Sequence, residues 1–275
     1  MSKPFKYINK LQGCRVLVVG GSSGVGFGVA EAAVECGAIV TVASSNQSKL
    51  DNAVGRLKEH AKATGVSADD VSGTIIDLAE AAGLDDRIVN MLEFASKSGK
   101  IDHVVFTAGD PVKALPLKDQ TVERIHESFM VRNVAPILVA KHLQEYMTFS
   151  NQSSFTLTGG TNTTRPFPNW SVVAGAGACV EGLTRGFAVD LKPIRVNCVQ
   201  VGAVKTELFE KALSSSPPEF IDSIAKDTVS GTIGKPDEVV EAFLYPMKAY
   251  YTNGTTIVAD GGRLVGKSQE VSEFN

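Results

Sequence analysis

The sequence is poor in the residues that build metal centres and disulfide frameworks. It has four cysteines and four histidines in 275 residues. Cys14, Cys36, Cys179 and Cys198 are scattered, with no CxxC pair and no histidine at metal-ligand spacing. That argues against a zinc module or a stapled secreted domain, and the cysteines read as small buried residues in a reducing compartment. Charge of one sign is lacking too: 27 Lys and Arg face 30 Asp and Glu, a formal net charge of −3. Such a balance gives no electrostatic footprint for nucleic acid or an acidic membrane. The opening MSKPFKYINKLQG has no apolar core of signal-peptide length, and no run approaches membrane-spanning length. These absences predict a soluble, cytoplasmic protein whose partner is a small-molecule substrate.

Glycine, by contrast, is plentiful, and its densest group carries the argument. In Val16–Gly28, VLVVGGSSGVGFG, the apolar run Val16 to Val19 meets glycines at Gly20, Gly21, Gly24, Gly26 and Gly28. A helical pattern follows through Val29, Ala30, Ala33 and Val34 and stops at Gly37. The order is strand, glycine-rich turn, helix N-terminus. In a doubly wound sheet that turn lies at the carboxyl end of the first strand, and the helix's unpaired N–H groups face whatever sits there. Glycine lets the backbone approach a pyrophosphate, and the helix dipole favours its charge. Ser22, Ser23 and Val25 complete this candidate cofactor turn; a ligand-free βα turn is the competing reading, disfavoured by so many glycines.

Further along, Ile39–Ala43 reads as the second strand, and its end is where cofactor choice is made. An acidic residue there would bond an adenosine ribose and repel a 2′-phosphate. Ser44, Ser45 and Asn46 stand there instead, with Lys49 a turn later, which favours NADP(H) over NAD(H). The same residues also suit a helix cap. A helix over 49–63 leads to a third strand, Val71–Ile76, ending at Asp77 and Leu78. The Asp77 carboxylate suits either an adenine amino group or the cap of the next helix. After a helix at Leu84–Ser98, strand four (Ile101–Thr107) ends in Ala108 and Gly109, small residues against which a nucleotide can lie. His103 within it reads as a strand-edge histidine.

Val122–Tyr146 is one long helical pattern with Arg132 and Asn133 in its middle. Phe155–Thr158 is strand five, Val172–Leu191 a helix whose small residues admit a twofold-related copy, Arg195–Val201 strand six and Ile257–Ala259 the last strand. The serine run and Pro217-Pro218 mark a mobile segment, a substrate lid near 207–230, and the polar tail from about 266 is expected to fray. No repeat or linker interrupts the pattern. The expected fold is a single α/β domain spanning 1–275, a Rossmann-like doubly wound parallel sheet.

These motifs together resemble the short-chain dehydrogenase/reductase family over nearly the whole chain. The family's T-G-x-x-x-G-x-G is matched at Gly20, Gly24 and Gly26, with Val19 for the threonine. Its acidic adenine contact matches Asp77, and its N-N-A-G motif survives as Ala108-Gly109. Its helix asparagine, which holds a proton-relay water, matches Asn133. RVNCVQVGAVKT resembles R-V-N-x-x-x-P-G-x-x-x-T at Arg195, Val196, Asn197, Gly202 and Thr206. In the family the stretch after that glycine, here including Val204, contacts the nicotinamide amide. The resemblance therefore implies a nicotinamide cofactor and a homodimer or homotetramer through the 122–146 and 172–191 helices.

The family's catalytic residues do not carry over. Counting back from CVEGLTRGFAVDL, which resembles A-V-x-G-L-T-R-x-x-A-x-x-L, puts the serine position at Gly160, the tyrosine at Val173 and the lysine at Gly177. No tyrosine in the chain has a lysine four residues on. General acid–base help of that kind is worth roughly 10²–10⁴ in rate. Its loss handicaps alcohol–ketone exchange more than reduction of a pre-formed iminium, whose nitrogen already carries the charge that hydride quenches. The chain is also similar to family members of fungal natural-product pathways that lack the tyrosine and lysine. One branch resembles an iminium reductase that steers a Diels–Alder step with an Arg, matched by Arg132, and an Asp, replaced by Phe167. Arg132, Asn133 and Trp170 are the candidate catalytic residues. Arg132 could orient a carbonyl or lie on the surface or a dimer face, Arg165 is expected in solvent, and Trp170 stacks on substrate or simply packs. The expected activity is an NADP(H)-dependent reductase or dehydrogenase acting on a carbonyl or imine. A non-redox cyclase or isomerase, or a silent cofactor-binding protein, is the alternative.

Overall fold

Alternation within the first strand decides how the chain layers. In β1 (Arg15–Val19) the side chains from Val16 to Val19 are all buried. Successive side chains leave a strand on opposite faces, so Val16 and Val18 enter one core while Leu17 and Val19 enter the other. A strand apolar on both faces must be covered on both. The computed structural model, which describes residues 6–110, 114–214 and 217–268, shows how this is done.

The first half runs α1 (Gly24–Glu35), β2 (Ile39–Ser44), α2 (Gln47–Thr64), β3 (Val71–Ile75), α3 (Leu84–Ser96), β4 (His103–Phe106) and α4 (Val122–Phe129). Then come α5 (Ala135–Tyr146), β5 (Ser154–Gly160), α6 (Ser171–Asp190), β6 (Arg195–Val201), α7 (Glu207–Leu213), α8 (Pro218–Lys226), α9 (Pro236–Lys248) and β7 (Thr256–Ala259). The seven strands form one parallel sheet in the order β3-β2-β1-β4-β5-β6-β7. Helices α1, α2 and α9 cover the Val16/Val18 face, and α3, α5 and α6 the other. Strand order reverses between β1 and β4, which places the ligand crevice at their carboxyl ends. The expected Rossmann-like doubly wound sheet is therefore the one observed.

Several local expectations change. The long helix over 122–146 is two α-helices joined by a π-helical turn, Met130–Val134. His103 is no edge residue: β4 lies mid-sheet, and the imidazole is buried with Nδ1 2.9 Å from Ser154 Oγ. Only Cys198 of the four cysteines is fully buried, and burial pushes its thiol up to about 12. Helix α6 does have the length and apolar composition of a membrane span, contrary to the sequence reading. It packs one face on β5 and β6 and leaves much of the rest uncovered. The segment expected as a lid holds α7 and α8, with 215–216 outside the described residues. Of the expected frayed tail, Gly266 and Ser268 are tied by backbone bonds to Gly262 and Lys226, while 269–275 lie outside the described residues.

His103 gives the fold a pH signature. Burial first, and Arg195 second, lower its pKa from the ordinary 6.5 to about 3. Between those values the unfolded chain binds a proton that the folded one refuses, so stability is full above pH 6.5 and falls as pH drops toward 3, by at most about 1.4 kcal/mol per pH unit. Denaturant melts across that window should show this slope, and His103→Gln should flatten it.

Candidate functional site

The glycine turn after β1 meets the exit of β4 at a distance only glycine permits. Gly20 has φ +88°, and a Cβ there would lie 2.5 Å from Ala108 N and 2.6 Å from Ala108 Cα. A Cβ on Gly26 would collide with Thr107 Oγ1 and the carbonyl oxygen of Gly20, while Thr107 Oγ1 donates to Val19 O at 3.0 Å. The result is a cradle in which the glycine turn contributes backbone alone and packs closely on Thr107 and Ala108. Above it α1 begins with an N-cap, Ser23, that makes no side-chain cap, and with no acid in its first turn. Backbone N–H groups and a positive dipole end therefore face the crevice. A dinucleotide pyrophosphate fits this cradle. Gly28 serves packing instead, because a Cβ there would lie 2.8 Å from Val240 Cγ2 of α9.

Around the cradle the other sequence-assigned cofactor residues gather at the same sheet edge. Ser44 is buried at the end of β2, with its Oγ 2.8 Å from Ser22 Oγ. Ser45 and Lys49 are exposed beside it, and Asn46 caps α2 by accepting from Lys49 N at 2.9 Å. Asp77 is exposed and accepts from Ala79 N at 2.9 Å, a local cap, while Leu78 beside it is buried. At the end of β6, a Cβ on Gly202 would lie 2.8 Å from Asp260 Cα. Val204 is buried and bridges to Gly234. Thr206 is the N-cap of α7, its Oγ1 accepting from Phe209 N at 3.2 Å.

Arg132 and Asn133 sit on the π-helical turn, a device that swells a helix by one residue and recurs at functional sites. Arg132 is partly buried. Its guanidinium lies under the β4 exit, where a Cβ on Gly109 would come within 2.6 Å of its Cζ, and Nη2 donates to Asp110 O at 2.7 Å. Burial lowers its pKa, opposed by Asp110. Asn133 Nδ2 donates to Ala176 O at 2.9 Å, while its Oδ1 is buried without a protein partner. Both side chains thus reach inward, toward β4 and α6.

The loop from β5 to α6 carries a feature that sequence reading missed. Arg165, expected in solvent, is half-buried and donates from Nη2 to Asp227 Oδ1 at 2.6 Å. Arg263 Nε donates to Asp227 Oδ2 at 3.2 Å, and its Nη2 to Arg165 O at 2.8 Å; Arg165 Nη1 in return donates to Arg263 O. The Arg263 guanidinium lies 4.6 Å from the Phe167 ring centroid, and Phe167 meets Trp170 edge-on at 5.6 Å. This clasp fixes three loops and the only tryptophan at the carboxyl ends of β5 and β7. No local spacing signals it, since the partners are 62, 36 and 98 residues apart.

Val173 and Gly177 lie on α6 and Gly160 ends β5. A Cβ on Gly177 would collide with Thr163 Oγ1, so a threonine hydroxyl fills the space a longer side chain would need. Gly177→Ala should cost about 1–3 kcal/mol by overpacking, and adding Thr163→Ala should recover most of it in thermal melts. For the same reason Val173→Tyr with Gly177→Lys should not confer carbinol dehydrogenase activity while Thr163 is present. Among the described residues no group of three or more His, Cys, Asp or Glu could hold a metal ion.

Residues 7–265 match the family model described as an SDR-like Rossmann domain. The chain belongs to the short-chain dehydrogenase/reductase family. Among relatives, the short-chain dehydrogenase/reductase malC of Malbranchea aurantiaca is 40% identical over 255 residues, covering 93% of this chain and 96% of malC. The solved MalC reductase/Diels-Alderase aligns with a TM-score of 0.90 at 39% identity, over 94% of this chain and 100% of that one. A short-chain dehydrogenase of Burkholderia cenocepacia J2315, solved with NADP, aligns with a TM-score of 0.79 at 25% identity, over 93% of this chain and 100% of its own. Membership of this family implies a nicotinamide cofactor.

Proposed function

We propose that the protein is an NADP(H)-dependent reductase of a small carbonyl or imine intermediate in secondary metabolism, working without the family's usual tyrosine–lysine pair. The observation that carries this reading is the close backbone packing of Gly20 and Gly26 on Thr107 and Ala108 under the N-terminus of α1, where no residue of the helix's own first turn caps the N–H groups. Exposed Ser45 and Lys49 at the end of β2, with no carboxylate among Ser44, Ser45 and Asn46, leave a 2′-phosphate unopposed. A bound nicotinamide supplies the hydride. Arg132 orients an acceptor on the substrate and stabilises negative charge that develops there. Asn133 Oδ1, buried and unpartnered, accepts a hydrogen bond from a water or substrate donor. Phe167 and Trp170 form an aromatic wall.

Gly160, Val173 and Gly177 offer no proton at the family's catalytic positions. An iminium needs none, and holding it against the cofactor supplies on the order of 7–11 kcal/mol. The test is NADPH absorbance over a panel of cyclic iminium ions and matched ketones. Consumption with the iminium ions, weaker with ketones and weaker with NADH, is expected; no consumption with any of them sinks the reading. A second reading, a non-redox cyclase, takes support from the Diels-Alderase named with the MalC structure and from Arg132. It requires product without any change in nicotinamide absorbance, and Phe167 at the Asp position weakens it.

The protein is further proposed to be cytoplasmic and to assemble as a homodimer or homotetramer. The exposed apolar residues Val134, Ile137 and Val189 on and beside α5 and α6 support a covered face. Light scattering giving a monomer mass would remove that part.

A further inference from the structure

Glu207 reaches across 183 residues to the glycine turn, where its Oε2 accepts the N–H of Gly24 at 3.1 Å. Gly24 is the first residue of α1, so this N–H is one the helix cannot pair internally. Neither Ser23 nor any acid of the first turn satisfies it. Beside it Thr206 packs its methyl on the same glycine, 3.1 Å from where a Cβ would stand. The contact therefore joins the cradle to the segment that carries α7 and α8. That segment is anchored at its base by Lys205 N donating to Gly234 O at 2.8 Å, and α8 has no buried residue.

We propose that Glu207 is an electrostatic latch that lowers dinucleotide affinity and couples cofactor occupancy to the position of α7. The proposal rests on the reading that the cradle holds a dinucleotide. A carboxylate and a pyrophosphate both seek the positive end of α1, and two anions cannot share it without mutual repulsion. Binding of one displaces the other, and the displaced side chain takes the first turn of α7 with it. A groove of about 520 Å³ beside the contact gives the carboxylate somewhere to go, with Lys205 and Arg56 in its lining to receive it. Glu31 and Glu210 line the same groove and set a negative surrounding that the latch adds to. Because binding free energies are linked, whatever weakens the latch tightens the cofactor.

The experiment is calorimetric titration of NADPH into the wild type, Glu207→Gln and Glu210→Gln. Glutamine keeps one acceptor oxygen at the same reach and removes the charge, its other oxygen becoming an amide donor. Glu207→Gln should bind NADPH about three- to tenfold more tightly, and Glu210→Gln should change affinity by less than half as much on a logarithmic scale. Limited proteolysis supplies the second readout: cleavage within 207–226 of the wild type should quicken when NADPH is added. Equal or weaker binding by Glu207→Gln, with the wild type binding normally, overturns the latch and leaves the cofactor site standing. Absence of binding by all three proteins overturns the cofactor site itself.

Discussion

Gly26→Ala should abolish dinucleotide binding, raising the NADPH dissociation constant at least roughly a hundredfold, a loss of about 2.7 kcal/mol or more. The added methyl would have to occupy the place of Thr107 Oγ1 and of the Gly20 carbonyl oxygen. The threonine can rotate, but the carbonyl belongs to the turn itself, so relief comes only by pushing the turn into the cradle or lifting α1 off β1. Either movement spoils the surface a pyrophosphate needs. Truncating the threonine should accordingly fail to restore binding. Gly55→Ala, on α2 where an added Cβ meets nothing within 4 Å, provides the contrast. It should stabilise the fold by about 0.5–1 kcal/mol through helix propensity and a less flexible unfolded chain, and leave NADPH binding unchanged. Retention of wild-type affinity by Gly26→Ala would mean that the cradle is not the cofactor site.

Asp227→Ala should produce the largest loss of stability. It leaves the Arg263 side chain, only 5% exposed, and the half-buried Arg165 without their carboxylate, and Arg263 Nη1 is already buried without a partner. Removing one member of a buried ion pair costs about 3–5 kcal/mol, which for a chain of this size is a fall in melting temperature of roughly 6–20 °C. Asp227→Asn keeps acceptor and shape while losing charge, and should fall between. Because Arg263 stacks on Phe167 and Phe167 abuts Trp170, the emission of the single tryptophan should shift in both variants. Melting within 1 °C of the wild type would show that the clasp holds nothing.

The clasp also reaches the loop between β5 and α6. It holds the Phe167 and Trp170 rings together after β5, and Thr163 closes the space over Gly177.

What the sequence by itself determined was the part written in short-range order. The β1–turn–α1 pattern needs only alternating apolar residues and glycines within thirteen positions, and such patterns survive any tertiary context that buries them. The glycine residues of the cradle follow from it, while the parallel sheet was legible in the alternation of strands and helices along the chain. The single helix expected over 122–146 was wrong in detail because apolar periodicity does not register a one-residue swelling. That swelling carries Arg132 and Asn133. Tertiary structure alone decided the Asp227 clasp, the reach of Glu207 to Gly24 and the filling of the Gly177 space by Thr163. Each joins residues on different elements, and a charge or hydroxyl carries no mark in sequence of the distant partner it will meet.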